Sequence, residues 1–192
     1  MVAGCGDGSS AAPSPSGPVE TTTPAPTPEP SQEAEPVATD RAGEPLVPPD
    51  RPAAMDNDDE AGAQAAAEYF IELYGYATRS QDLEEFTELC DTASTFCSAV
   101  ISEVTGDVAA GAVTVGGQTA LTTTAVDPPG DDPFYVVWGT QDRAPFTAFS
   151  ADGSVIYESA GDQGLDVAVV IEHQPDNTWI VREGLAGVVP SS

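Results

Sequence analysis

Residues 59 to 78, DEAGAQAAAEYFIELYGYAT, place Ala63, Ala66, Phe70, Leu73, Tyr74 and Ala77 at helical spacing, which predicts one amphipathic helix of about five turns. Tyr69 and Tyr76 flank the same broad face. The aspartates just before it, in MDNDDE, suit an N-cap and the positive end of a helix dipole. They lack the glycine and the twelfth-position acid of a calcium loop. The run RSQDLEEFTEL predicts a short second helix, with Asp82 and Glu85 at capping-box spacing and Leu83, Phe86 and Leu89 turned inward. STFCSAVISEVTG predicts a third, stopped by Gly106.

Beyond Gly106 the pattern changes to period two with β-branched residues, in GAVTVGGQTALTTTAVD, PFYVVWGTQD, PFTAFSADGSVIYE, LDVAVVIEH and TWIVREGL, each read as strand. The last two form a hairpin over QPDN, where Pro175 presets the turn and Asn177 can take a left-handed conformation. SADGS is a second turn, marked by Asp152-Gly153. Helices first and then an antiparallel sheet predict an α+β domain, with the helices on one face of the sheet. Its expected span is residues 58 to 190.

The segment ahead of it, residues 6 to 57, has no aromatic residue and is dense in Pro, Ser, Thr and Glu. Too little apolar surface is available to offset the entropy of ordering it. It is expected to be a disordered tether, spanning roughly 40 Å as a coil and up to about 150 Å when extended. Val2-Ala3-Gly4-Cys5 fits a bacterial lipobox, in which an aliphatic and two small residues precede the cysteine that is lipidated and becomes the mature N-terminus. On this reading residues 1 to 5 end a lipoprotein signal peptide whose basic and apolar regions lie upstream of Met1. The alternative is a chance tetrapeptide at a cytosolic start. Two or three acyl chains would anchor the chain stably, on the extracytoplasmic side of the cell membrane.

With Cys5 assigned to lipid, Cys90 and Cys97 remain as an even pair. In an oxidising compartment they can form a structural disulfide across CDTASTFC, and two buried thiols are the alternative. The spacing is not that of a zinc site, since there is no second pair and His173 is remote in sequence. The redox-active two-residue spacing is also missing.

Composition narrows the partners. The chain has no Lys, and five Arg stand against 32 acidic residues for a net charge of −27. A nucleic-acid backbone or an anionic bilayer would be repelled. No apolar run approaches the length of a membrane span, so attachment to a membrane would be covalent. No cofactor or metal motif is present.

The order AAEYFIELYGYATRSQDLEEFTEL, a cysteine pair opening a third helix, TQDRAPFTAFSADGSVIYES, an aliphatic strand and NTWIV resembles a domain of unknown function. That domain occurs in lipid-anchored exported proteins of high-GC Gram-positive bacteria. The similarity covers residues 60 to 187. The resemblance implies a curved-sheet cone of the nuclear transport factor 2, SnoaL or cystatin type, and it supports Cys5 as the anchor. The family's cysteines sit closer together, so Ser94 takes the place of the first and Cys90 an earlier one.

A cone offers a concave mouth, and Tyr69, Tyr76, Trp138 and His173 are the candidate lining. Each also suits plain packing, a Tyr or Trp with its polar handle at the core edge and a His at a strand end beside a turn. The expected function is a non-catalytic module that binds a small apolar ligand, a cell-envelope component or a protein partner. A homodimer through the exposed sheet face is a further expectation. The alternative is a small cone-fold isomerase or hydrolase using His173, or an acid such as Asp142, as general base. That reading rests on fold analogy, with no catalytic residue assigned.

Overall fold

The computed structural model describes residues 46–188. Cys5, with the expected lipobox, and residues 6 to 45 of the expected tether lie outside them. The ordered body begins before the expected boundary at residue 58. Leu46 and Met55 are buried, Ala53–Asp56 forms a 3-10 turn, and the Trp179 indole N–H donates to the Met55 carbonyl at 2.9 Å. Two apolar side chains and one carbonyl suffice to seat a proline-stiffened segment that has little backbone entropy to lose.

Helix α1 spans Glu60–Ser80, α2 Glu84–Glu88 and α3 Thr95–Ala110. Asp59 caps α1 by accepting from the Gly62 N–H at 3.0 Å. Gln81, at φ 63, ends it in the left-handed region. The expected capping box on α2 does not form. Asp82 accepts from the Glu84 N–H at 3.0 Å, while the Glu85 carboxylate turns away to Tyr69. The expected stop at Gly106 is also passed, because that position faces solvent and an exposed helical glycine costs only about 1 kcal/mol. Gly111, at φ 63, closes the helix instead.

Seven strands follow: β1 Val113–Gly116, β2 Thr119–Asp127, β3 Tyr135–Arg143, β4 Phe146–Phe149, β5 Val155–Ser159, β6 Asp162–His173 and β7 Trp179–Ala186. They form two antiparallel sheets, β2-β3-β6-β7 and β1-β4-β5. The run expected as one strand from Gly111 to Asp127 is therefore two. Gly116 and Gly117, at φ 81 and 80, break it, a conformation that costs a side-chain residue dearly. Each neighbouring lane breaks at the same level, at Ala144-Pro145 and at Gly161 (φ 78). Hydrogen bonds still cross the break, Gly117 N–H to the Pro145 carbonyl at 3.1 Å and Ala144 N–H to the Gln118 carbonyl at 2.8 Å. The small sheet is thus a bent continuation of the large one. At the bend the Arg143 guanidinium lies 4.0 Å from the Phe146 ring centroid and donates to the Tyr74 hydroxyl at 3.2 Å.

Helix α1 lies directly on the large sheet. The Thr119 hydroxyl of β2 donates to the Ile71 carbonyl, and a Cβ added at Gly75 would sit 2.3 Å from Thr119 Oγ1. This close seat and the curved sheet give the expected α+β cone, with helices packed against antiparallel strands. Val137, Val167, Val169, Ile171 and Val181 face the helix in alternation, as period two requires.

The stretch between α2 and α3 covers the open edge of β7. Asp91 N–H donates to the Val181 carbonyl at 3.0 Å. Arg182, at a bulge in β7, pairs with both Asp91 and Glu172. Glu183 accepts from the Thr95 N–H at 3.0 Å and the Phe96 N–H at 2.9 Å, so a carboxylate from the sheet caps the start of α3. Cys90 and Cys97 form a disulfide, with Cα atoms 5.9 Å apart, inside this same stretch.

Burial pushes the Glu183 carboxyl up, but the hydrogen bonds from Thr95, Phe96 and Gly184 outweigh it and hold it below the usual carboxylate range. Its folded pKa is thus below its unfolded one. The stability it contributes is present above the ordinary glutamate value and is lost as pH falls from there through the lower folded value. Glu183→Gln is expected to cost about 1–2 kcal/mol at neutral pH and to flatten the loss of stability below about pH 5, measured by urea unfolding across pH.

Candidate functional site

The interior of the cone is filled. Phe70 of α1 stacks on Phe86 of α2 at 5.2 Å between centroids, and Phe96 of α3 closes against Phe70 at 5.8 Å and Tyr74 at 5.5 Å. Gly184 makes room for this plug, since a Cβ there would come within 3.0 Å of the Phe96 ring. About 40 Å³ remains between Phe70, Phe96, Val167 and Val169, far below the few hundred Å³ that a drug-sized ligand fills.

A cleft of about 290 Å³ lies at the N-terminal end of α1, while a larger and shallower depression of about 450 Å³ lies on the small sheet between Gly116, Phe146 and Glu158. The floor of the cleft is apolar, with Met55, Leu89 and Trp179. Its rim is polar, with Tyr69, Glu85 and Glu88 on the helical side, Asn177 and Thr178 from the β6–β7 turn, and Arg51 from the N-terminal segment. Asn177 reaches the rim because it takes φ 69 in that turn. The Tyr69 hydroxyl donates to Glu85 at 2.5 Å. Burial first, then the hydrogen bond and the nearby charge of Glu85, push the Tyr69 phenol well above the usual tyrosine value. Arg51 is occupied with Asp56 at 2.8 Å, which leaves Glu85 and Glu88 as the uncompensated charges of the rim.

The four residues expected to share a pocket are not brought together. Tyr69 lines the cleft. Tyr76, two turns further along α1, lines a separate depression with Val47, Pro49 and Gln118, and burial pushes its phenol up. Trp138 points to the other face of the sheet, where its indole N–H donates to Asp127 at 2.7 Å. Its neighbours Val137 and Gly139 take the helix-facing positions. His173 packs edge-on against Trp179 at 4.8 Å between centroids, and its Nε2 is buried without a partner. Asp142 accepts from the Gly164 N–H at 2.7 Å on an exposed surface. Neither His173 nor Asp142 lines the cleft or the residual interior.

Arg51, Glu85, Glu88 and the 177–178 turn were not among the expected site residues. Glu85 carried a sequence signal in its capping-box spacing and Asn177 one in its turn, and both pointed to other roles. Among the described residues no group of three or more His, Cys, Asp or Glu side chains converges as a metal would require.

The solved structures that resemble this fold do so at low identity. The intermembrane space region of the chloroplast protein ARC6 superposes with a TM-score of 0.51 at 12% identity, over 68% of this chain and 97% of that one. A protein from Catenulispora acidiphila gives 0.41 at 13% identity, over 66% and 91%. Aln2 from a Streptomyces species gives 0.39 at 11% identity, over 63% and 86%. The ARC6 likeness is one of fold alone. No curated protein matches the chain significantly.

Because the Tyr69 phenol is held neutral in the fold, its folded pKa lies above its unfolded one. Its stabilising contribution is complete below about pH 10 and is lost as pH rises beyond that. Tyr69→Phe is expected to cost about 1 kcal/mol at neutral pH and to make stability fall less steeply above pH 10, read by thermal unfolding between pH 7 and about 11.

Residues 37–184 match the model of DUF6318, a family of unknown function, and the chain belongs to that family.

Proposed function

We propose that the chain is a lipid-anchored, extracytoplasmic binding module, held to the membrane through Cys5, whose folded domain recognises its ligand without chemistry. The observation that carries this reading is the cleft at Tyr69. It pairs an apolar floor of Met55, Leu89 and Trp179 with two carboxylates, Glu85 and Glu88. Such a lining suits a small ligand with an apolar body and a cationic group, or the basic side chain of a cell-envelope component. The charge of the chain, −27, concentrates cations near it and repels polyanions.

A general-base role finds less support. His173 is packed on Trp179, Asp142 is spent on Gly164, and a base must come within hydrogen-bond reach of a bound substrate. The lipid anchor is supported by the lipobox-like Val2-Ala3-Gly4-Cys5 and by the proline-dense run that follows it.

Two measurements test the reading. Benzylamine at millimolar concentration is expected to shift the NMR signals of the Trp179 indole and of Leu89, with binding several-fold weaker in Glu88→Gln, while benzoate shifts neither. Equal response to both probes, or to none, would count against the cleft. In cells of the source organism, the wild-type chain is expected in the membrane fraction and Cys5→Ala outside it. Finding both variants in the soluble fraction would remove the anchor.

A further inference from the structure

Strand β5 continues the lane of β6 beyond the bend, but among the described residues no strand continues the lane of β7. The last paired residue of β7, Ala186, lies opposite Val167. Gly187 then makes one more bond, its N–H to the Asp166 carbonyl at 2.7 Å, and its φ of 73 turns the chain away. From Asp166 back to Val155, one edge of the bent sheet has no neighbouring strand among the described residues, because β5 pairs only with β4. Unpaired N–H and C=O groups on such an edge are a template for another strand.

The side chains along this edge are unusual for an exposed lane. Val155, Ile156 and Tyr157 are 53%, 59% and 56% exposed, three consecutive apolar residues on a strand of five. Beyond them, Glu158, Asp162 and Asp166 are all exposed. Arg143 sits opposite Asp162 in register but turns its guanidinium onto the Phe146 ring, and it forms no ion pair with an acid of the lane. The lane is therefore apolar at one end and uncompensated negative at the other.

The turn leading into β5 is rigid, which keeps the edge in place. The Ser150 N–H donates to the Ser154 carbonyl at 2.9 Å and the Gly153 N–H to the Ser150 carbonyl at 2.9 Å. Asp152 accepts from the Ser154 N–H at 2.9 Å and from the Ser150 hydroxyl. Those hydrogen bonds, the Ser150 hydroxyl first, bring the Asp152 carboxyl down to about 2.

We propose that this edge binds an extended, basic segment of a partner protein by strand addition, along the lane that β7 leaves empty beside β5. Backbone bonds to β5 would supply affinity and Val155, Ile156 and Tyr157 the apolar contact. Lysine or arginine side chains would meet Glu158, Asp162 and Asp166.

A second copy of the chain fits less well. A five-residue strand paired with itself buries far less than the roughly 1,200 Å² of a stable interface. The register shift that leaves Ile156 without a β4 partner bends the edge, which disfavours a rigid strand. A short flexible peptide can follow that bend. This proposal is independent of the Tyr69 cleft, which lies at the other end of α1.

The test uses the full chain and a synthetic peptide alternating lysine with valine, with a glutamate–valine peptide as control. Amide exchange and NMR shifts are expected to show Val155–Ser159 protected on adding the basic peptide, with binding weakened by raised salt. Ile156→Lys is expected to weaken binding about tenfold. The side chain is exposed, so its replacement leaves stability within about 0.5 kcal/mol. Three outcomes would overturn the proposal: unshifted β5 amides with the basic peptide, equal binding of the acidic one, or protection that grows with protein concentration alone. The last would make a second copy the occupant.

Discussion

The ring of Phe96 resting on the bare backbone of Gly184 is the contact on which the rest of this domain depends. A curved sheet wrapped around a helix would ordinarily leave a hollow, and this one is stopped at its mouth by a single aromatic side chain. The plug is held from three sides. Glu183, next to Gly184, caps the helix that carries it, the disulfide joins Cys97 to Cys90, and Arg182 grips Asp91 in the same stretch. Charge-assisted hydrogen bonds of this kind are worth more than neutral ones, and here they also cover the edge of β7. One short segment thus closes both the cavity and the sheet.

With the interior closed, the accessible concave surfaces lie at the periphery. At one end of α1 the N-terminal segment, α2 and the β6–β7 turn leave a cleft with an apolar floor and an acidic rim. At the other, the bend at Gly116-Gly117, Ala144-Pro145 and Gly161 carries a small sheet out of reach of β7 and leaves one edge of β5 without a neighbouring strand among the described residues. Both surfaces are acidic, in keeping with a chain that has five Arg and no Lys.

Much of this architecture was legible in the sequence. The stripe of α1 and the period-two runs are strong signals, because one buried face forces a fixed spacing. The losses came where that signal is silent. Alternation runs unbroken through VTVGGQTAL, so the division into β1 and β2 shows only as two adjacent glycines. YVVWGT does not say which parity faces a helix, which is why Trp138 was grouped with residues on the opposite face. Tyr69 and Tyr76 share a stripe, yet seven residues at 1.5 Å of rise put them about 10 Å apart. The seating of Leu46 and Met55 was hidden by the proline-dense run around them. The cleft itself draws on four separate segments, and no local pattern connects them.

The central claim, a cone closed by Phe96, is tested most directly by the crystal structure of the wild-type protein soaked in toluene. The account predicts Phe96 in place against Gly184 and no toluene among Phe70, Val167 and Val169. An ordered toluene ring there, with Phe96 swung outward, would contradict it.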